Sequence, residues 1–264
     1  MDTQLAKEYN DQAKTYDNYL TSVPYGQLET QLFRLGLGDC AGLTVLDLGG
    51  GSGVKARDAL EAGAASVDVV DISASMMQSG KDTEKSLGRD RIRWYEADVS
   101  KPLDHLPLRS SYDLVLACWV FDHAHDLAEY EGMWRNCAAY LKPGGRFLGI
   151  RAGDPRAPGW DGRYGFYTKD YKETPEGLHY RYGMKMDPPL EYEASTLNIS
   201  MSGSHEVPEK YGIVDFEIEP PRERAYRAGG SRVLEGVSGA AFVCDLQGKE
   251  EDGHLSHLIF HACI

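Results

Sequence analysis

The stretch Val45-Leu46-Asp47-Leu48-Gly49-Gly50-Gly51-Ser52-Gly53 decides the fold. A short apolar run ends in an acid and then in glycines at alternate positions. This is how a strand enters a loop that holds a nucleoside-bearing ligand at the carboxyl end of a parallel sheet. Glycines at 49, 51 and 53 let the backbone approach such a ligand without Cβ clashes. The spacing differs from the dinucleotide pattern G-x-G-x-x-G, whose helix amides face a pyrophosphate. Asp47, two residues before the first glycine, would repel a pyrophosphate. It suits a cation such as the α-ammonium of an amino acid.

Further along, Val67-Asp68-Val69-Val70-Asp71 reads as a second buried strand ending in an acid, placed where a βαβ unit delivers a carboxylate to a ribose diol. Ile72 and Ser73-Ala74-Ser75-Met76-Met77 follow, then Tyr95-Glu96-Ala97-Asp98-Val99, Ser111-Tyr112-Asp113-Leu114-Val115-Leu116-Ala117 and Leu141-Lys142-Pro143-Gly144-Gly145-Arg146-Phe147-Leu148-Gly149-Ile150. From 44 to 150 strands alternate with helices expected at about 54–62, 74–87 and 127–140. That alternation predicts a parallel sheet with helices on both faces. Right-handed crossovers bring Gly49, Asp71, Asp98 and Ala117 to one edge.

Taken in order, these segments resemble the motifs of the class I S-adenosylmethionine (SAM) dependent methyltransferases. Asp47 to Gly53 is similar to the family's D-x-G-x-G-x-G, and Asp71 to Met76 to its D-x-S-x-x-M. The resemblance is closest to the UbiE/toxoflavin-type small-molecule methyltransferases and covers chiefly residues 9–150. It implies a Rossmann-like, seven-stranded, mostly parallel sheet with an antiparallel last strand, helices on both faces and an inserted aromatic-rich cap. It also implies SAM as cofactor and S-adenosyl-L-homocysteine (SAH) as product. Asp47 would serve the ammonium, and Asp71 the ribose diol. Ile72 and Met76 would flank the adenine, and Asp98 beside Val99 would accept from its amino group. Ala117 would close the same edge. Tyr9 and Tyr16 match a Y-x-x-x-A-x-x-Y-D opening, a helix that lies over the cofactor in that family.

The chain has 264 residues and a formal charge of −13, which suits one elaborated α/β domain and no nucleic-acid partner. The expected organisation is a helical lid (1–40), a SAM-binding core (41–150), a cap insertion (151–205) and closing strands (206–264). Helices are expected over 3–20 and 25–36. Leu258 to Ala262 is the expected antiparallel seventh strand, with Lys210 to Ile218 approaching the sixth. Cys40, Cys118, Cys137, Cys244 and Cys263 are scattered, without a zinc spacing, and read as reduced thiols. No metal is expected, nor a membrane partner. The amino terminus lacks the charge and apolarity of a signal peptide, so the expected location is the cytoplasm. Composition leaves the oligomeric state open.

After Ile150 a turn-rich loop leads to Tyr164, Phe166, Tyr167, Tyr171, Tyr180, Tyr182 and Tyr192. These aromatics either stiffen a small β insertion or stack on a planar or cationic acceptor. Trp119, Tyr164, Tyr167, Tyr180 and Tyr182 are the candidate acceptor contacts. His123 and His125, just past the fourth strand, are the candidate general bases, since imidazole titrates near neutrality. Asp122 or Asp126 would orient a ring, or Asp126 would cap the helix from 127. His179, His205, His254, His257 and His261 read as structural or solvated. The implied reaction is in-line methyl transfer to oxygen or nitrogen of a small molecule. The alternatives are C-methylation, or SAM binding without methyl transfer.

Overall fold

The computed structural model describes residues 3–219 and 257–263. Three helices come first: α1 (Gln4–Tyr16), α2 (Tyr19–Ser22) and α3 (Pro24–Leu37). Thr3 caps α1 by accepting from the Ala6 amide. The single helix expected over 3–20 is therefore two. Pro24 holds Val23 extended (φ −116°, ψ 142°), ending α2, and starts α3 at a position where no amide hydrogen is needed.

The alternating core follows as β1 (Thr44–Leu48), α4 (Val54–Glu61), β2 (Ser66–Asp71), α5 (Ala74–Ser86), β3 (Ile92–Glu96), β4 (Tyr112–Cys118), α6 (Leu127–Tyr140) and β5 (Leu141–Ala152). These five strands run parallel in the order β3-β2-β1-β4-β5. Successive side chains of a strand point to opposite faces, and both faces are covered. Val45, Val67 and Val69 pack with Phe33, Leu37 and Leu60 on one side. Leu46, Leu48, Val70 and Val115 pack with Met133, Trp134 and Phe147 on the other. The chain steps outward from β1 to β3 and then returns past β1 to β4. The crevice at the carboxyl ends of β1 and β4 is thus the topological switch point where such sheets bind ligands.

Beyond β5, the strands β6 (Phe166–Glu173), β7 (Gly177–Met184) and β8 (Leu190–Leu197) form a separate antiparallel sheet. Two short helices, α7 (Asn198–Met201) and α8 (Glu206–Lys210), lead to β9 (Val214–Glu219). The last described strand, β10 (His257–Cys263), pairs antiparallel with β5 and with β9. Cys244 and His254 lie outside the described residues. Among those described, no helix is long and apolar enough to cross a membrane, and no cluster of side chains forms a metal site.

α1 is fastened on both flanks. Asn10 Oδ1 accepts from Ser73 Oγ at 2.8 Å and from the Ser75 amide at 2.9 Å, tying it to α5. The Gln12 side-chain amide exchanges hydrogen bonds of 3.1 and 3.2 Å with the Glu191 backbone on β8.

Gly132 lies inside α6, where a Cβ would overlap the Ser100 carbonyl oxygen. Alanine gains about 1 kcal/mol in intrinsic helix propensity, but overlap with fixed backbone costs about 1–3 kcal/mol. Gly132→Ala is therefore expected to lower the urea midpoint rather than raise it.

Candidate active site

A cavity of about 210 Å³ opens at the carboxyl ends of β1, β2 and β4. Gly51 (φ +54°) lines its floor, and a side chain there would be strained and would press on the Met76 methyl, 3.1 Å from a Cβ. Asp71 holds the loop in place. Its Oδ2 accepts from the Gly51 amide at 2.8 Å and its Oδ1 from the Ser73 amide at 2.7 Å. Burial pushes its pKa up to about 6, against backbone hydrogen bonds from Ser73, Gly51 and Ile72.

Asp47 is 1% exposed, and its Oδ2 has no hydrogen-bond partner. Burial, followed by the nearby Asp71 charge, pushes its pKa up to about 7. A buried carboxylate with an orphaned oxygen at a cavity wall is matched by a cationic donor. The residues present thus fit the ammonium and ribose of SAM. Ile72, Met76, Asp98 and Val99 line the same cavity. Asp98 Oδ1 accepts from the Ser100 amide and hydroxyl at 2.9 and 2.7 Å.

Sequence reasoning missed an ion pair beside this cavity, whose lysine lines it. Glu29 of α3 is 3% exposed and meets Lys55 of α4 at 2.8 Å. It also accepts from the Trp119 indole at 3.1 Å and from the Tyr19 hydroxyl at 3.2 Å. Burial opposes the charge on Lys55, but Glu29 outweighs it and holds the lysine pKa above its ordinary value. The signal available in the sequence was a lone acid between Leu28 and Leu32 in an amphipathic helix. Trp119 itself sits at φ +65° just past β4, which turns its ring into the cavity.

Tyr9 and Tyr16 also face the cavity. The Tyr9 hydroxyl bonds His123 Nε2 at 3.0 Å and the Tyr182 hydroxyl at 2.9 Å, and its ring stacks on Tyr192 at 4.5 Å. Burial, then the neighbouring His125, lowers the His123 pKa to about 4, against the Glu193 backbone carbonyl beside the ring. His123 is therefore a neutral imidazole at physiological pH. His125 is exposed, 3.4 Å from Glu129. Neither aspartate orients the His123 ring. Asp122 accepts from the Ala152 amide at 3.0 Å, and Asp126 caps α6 through the Glu129 amide at 2.8 Å.

Several sequence expectations need correction. Ala117 does not line the cavity but is wholly buried in the core; the strand alternation instead turns Cys118 to the cavity, followed by Trp119. Gly53 does not line it either. Its left-handed φ of +75° starts α4, and a Cβ there would strike the Trp94 ring at 2.6 Å. Tyr180 and Tyr182 line a smaller chamber beside the main cavity, whereas Tyr164 and Tyr167 line neither. The Tyr167 hydroxyl turns away to Glu191 at 2.6 Å, and Tyr164 packs in the cluster under the three-stranded sheet. His179 bonds Ser195 Oγ at 2.7 Å, and His205 stacks on Phe216. Cys40, Cys118 and Cys137 are free thiols.

Comparison with known proteins agrees with this geometry. A family model described as "Methyltransferase domain" matches residues 45–145. The demethylmenaquinone methyltransferase of Tropheryma whipplei is 29% identical over 157 residues, 58% of this chain and 61% of that protein. The squalestatin tetraketide synthase of Cochliobolus lunatus is 30% identical over 155 residues, 56% of this chain but 6% of that protein. The chain thus spans about three fifths of the first of these curated relatives and a small fraction of the second. A SAM-dependent methyltransferase from Mesorhizobium loti shares the fold, with a TM-score of 0.56 and 20% identity over 90% of this chain and 98% of that one. The motif order, the cradle at the switch point, the methyltransferase-domain match over residues 45–145 and the shared fold all agree in making this chain similar to SAM-dependent methyltransferases.

Proposed function

We propose that this protein transfers a methyl group from SAM to oxygen or nitrogen of a small-molecule acceptor. One observation carries the reading: a single cavity is lined both by the glycine loop with its two acids and by Tyr9, Trp119 and His123. When bound, the cofactor supplies an electrophilic methyl group on a sulfonium. The chain's role is to orient, exclude water and take a proton. Asp47 holds the ammonium, Asp71 the ribose diol, Ile72 and Met76 flank the base, and Asp98 beside Val99 meets its edge. Tyr9 and Tyr16, on α1, cover the assembly.

His123 is the proposed proton acceptor, working through Tyr9. An acceptor hydroxyl gives its proton to the Tyr9 oxygen as the Tyr9 proton passes to His123 Nε2 over their 3.0 Å bond. A lowered pKa keeps Nε2 free to accept at neutral pH. His125, exposed at the rim, is the weaker candidate. A single assay separates the alternatives from the sequence, transfer to carbon and binding without transfer. A metabolite pool incubated with methyl-labelled SAM yields a labelled product and SAH if transfer occurs, and NMR of that product identifies the methylated atom. Binding without SAH release would overturn the enzymatic reading.

Three measurements probe the roles. Gly51→Val puts a branched, strained residue on the cavity floor, so SAM affinity by calorimetry is expected to fall at least about tenfold while the fold persists. A near-native affinity would remove the cofactor cradle.

Cofactor binding should also release protons. Asp47 and Asp71 have folded pKa values raised to about 7 and about 6. At pH 6 much of this pair is protonated, and an ammonium and a diol favour the ionised forms. SAM affinity is expected to rise from pH 5 to 7 and level off above. Calorimetry in buffers of different ionisation enthalpy should show proton release at pH 6 and little at pH 8.

His123→Ala is expected to lower kcat on a hydroxyl acceptor by about 10²–10⁴-fold, with SAM affinity nearly intact. Because the folded pKa is lowered to about 4, loss of rate from His123 protonation belongs near pH 4 rather than pH 6–7. A mutant with wild-type kcat would exclude His123 as the acceptor of the proton.

A further inference from the structure

A second, smaller chamber of about 20 Å³ adjoins the main cavity, and Trp119 and His123 line both. Its remaining walls include the aromatic rings of Trp160, Phe166, Tyr180 and Tyr182 from the segment after β5. At its base lies Asp122, 4% exposed. One oxygen of this carboxyl accepts from the Ala152 amide at 3.0 Å, and the other has only a long 3.4 Å contact from the Thr196 hydroxyl. That leaves Asp122 under-coordinated for a buried acid. No step of the proposed reaction uses it.

A space of this size admits one group about as large as a water molecule. Apart from Ala152 and His123, its lining is aromatic rings and the Asp122 carboxylate, and rings with a carboxylate attract a cation. Among the described lining residues of both cavities, the only lysine or arginine is Lys55, held by Glu29. An anionic group would meet the Asp122 carboxylate, with no lysine or arginine among the chamber's own lining residues.

We propose that the chamber is the specificity pocket for the acceptor, and that it takes a primary ammonium, held by Asp122 within the aromatic walls. The acceptor is thus a small amine-bearing molecule, with the methylated atom in the main cavity beside Tyr9 and the ammonium away from it. This assignment rests on the methyl-transfer reading for calling the ligand an acceptor, but the chamber's preference for a cation does not. Burial pushes the Asp122 pKa up to about 7, against the Ala152 amide, the Arg151 charge behind it and the Thr196 hydroxyl, and a bound ammonium would bring it down.

The test is calorimetric titration with benzylamine, benzyl alcohol and benzyltrimethylammonium, each with and without saturating SAH. Benzylamine is expected to bind at least about tenfold more tightly than benzyl alcohol, as a charge-assisted bond plus cation–π contact implies. Benzyltrimethylammonium is expected to bind more weakly than benzylamine, because the chamber has room for one small group. In Asp122→Asn, the amine and alcohol affinities should converge to within about twofold, with SAH affinity unchanged. Equal affinities for amine and alcohol in the wild type would overturn the proposal, as would tighter binding of the trimethylated probe. An amine preference that survives Asp122→Asn would do the same. If that variant does not fold, the three wild-type affinities decide the matter alone. Failure of SAH to bind counts against the cofactor reading, whereas loss of amine preference in both series counts against the chamber.

Discussion

The buried carboxylate of Glu29 is the contact on which the site's arrangement depends. Three donors from separate regions of the chain converge on it: Lys55 from α4, the Trp119 indole from the loop after β4, and the Tyr19 hydroxyl from α2. Burying an ion pair gains little net stability, because desolvation offsets the attraction. Removing one partner is a different matter, and leaves an uncompensated charge at a cost of about 3–5 kcal/mol. The pair therefore acts through geometry. It holds the amino-terminal helices against the sheet, sets Lys55 over the Phe33 ring, and fixes Trp119 in a left-handed backbone conformation that few bulky residues adopt.

The electrostatics of the cavity follow a single pattern. Asp47, Asp71 and Asp122 are all buried at cavity walls, and all have pKa values raised by burial. A fold optimised for stability alone would replace such acids or pair them within the protein. Contrast Asp113 at the other end of β4, where Lys142 at 2.6 Å and Thr44 hold the carboxyl down to about 2 despite partial burial. The difference lies in how close the cation stands. Asp113 has a cation in direct contact, whereas among the described residues the cavity acids make no ion pair, and Lys55 and Arg151 act on Asp47 and Asp122 only from farther away.

Much of this was legible because the constraints are local. The positive-φ glycines, the acids near the ends of β1 and β2, and the Asp126 cap are each dictated by a few neighbouring residues, so they leave marks at fixed spacing. The errors arose where a side chain's direction or distant partner decides its role. Ala117 and Cys118 differ only in strand phase, and the edge of a motif does not fix that phase. Gly53 belongs to the motif, but Trp94 on β3 decides that its missing Cβ serves packing. Tyr164 and Tyr167 share the texture of Tyr180 and Tyr182, but Tyr164 precedes the small sheet and Tyr167 pairs within it with its hydroxyl on Glu191. Glu29 left a mark as a lone acid in an amphipathic helix, but its pairing with Lys55 could not be read, because the contact joins elements that nothing in either local sequence pairs. His123 was found by position, but its neutrality comes from burial beneath α1 and could not be read from the residue type.

The fastening of α1 has a mechanical consequence. Asn10 ties this helix to α5 on the nucleotide side, and Gln12 ties it to β8 on the side of the small antiparallel sheet. Tyr9 and Tyr16 project from the same helix into the cavity. Because both rings ride on this one helix, loosening either seam moves both at once, so the cavity is uncovered beside the glycine loop and beside the small antiparallel sheet together.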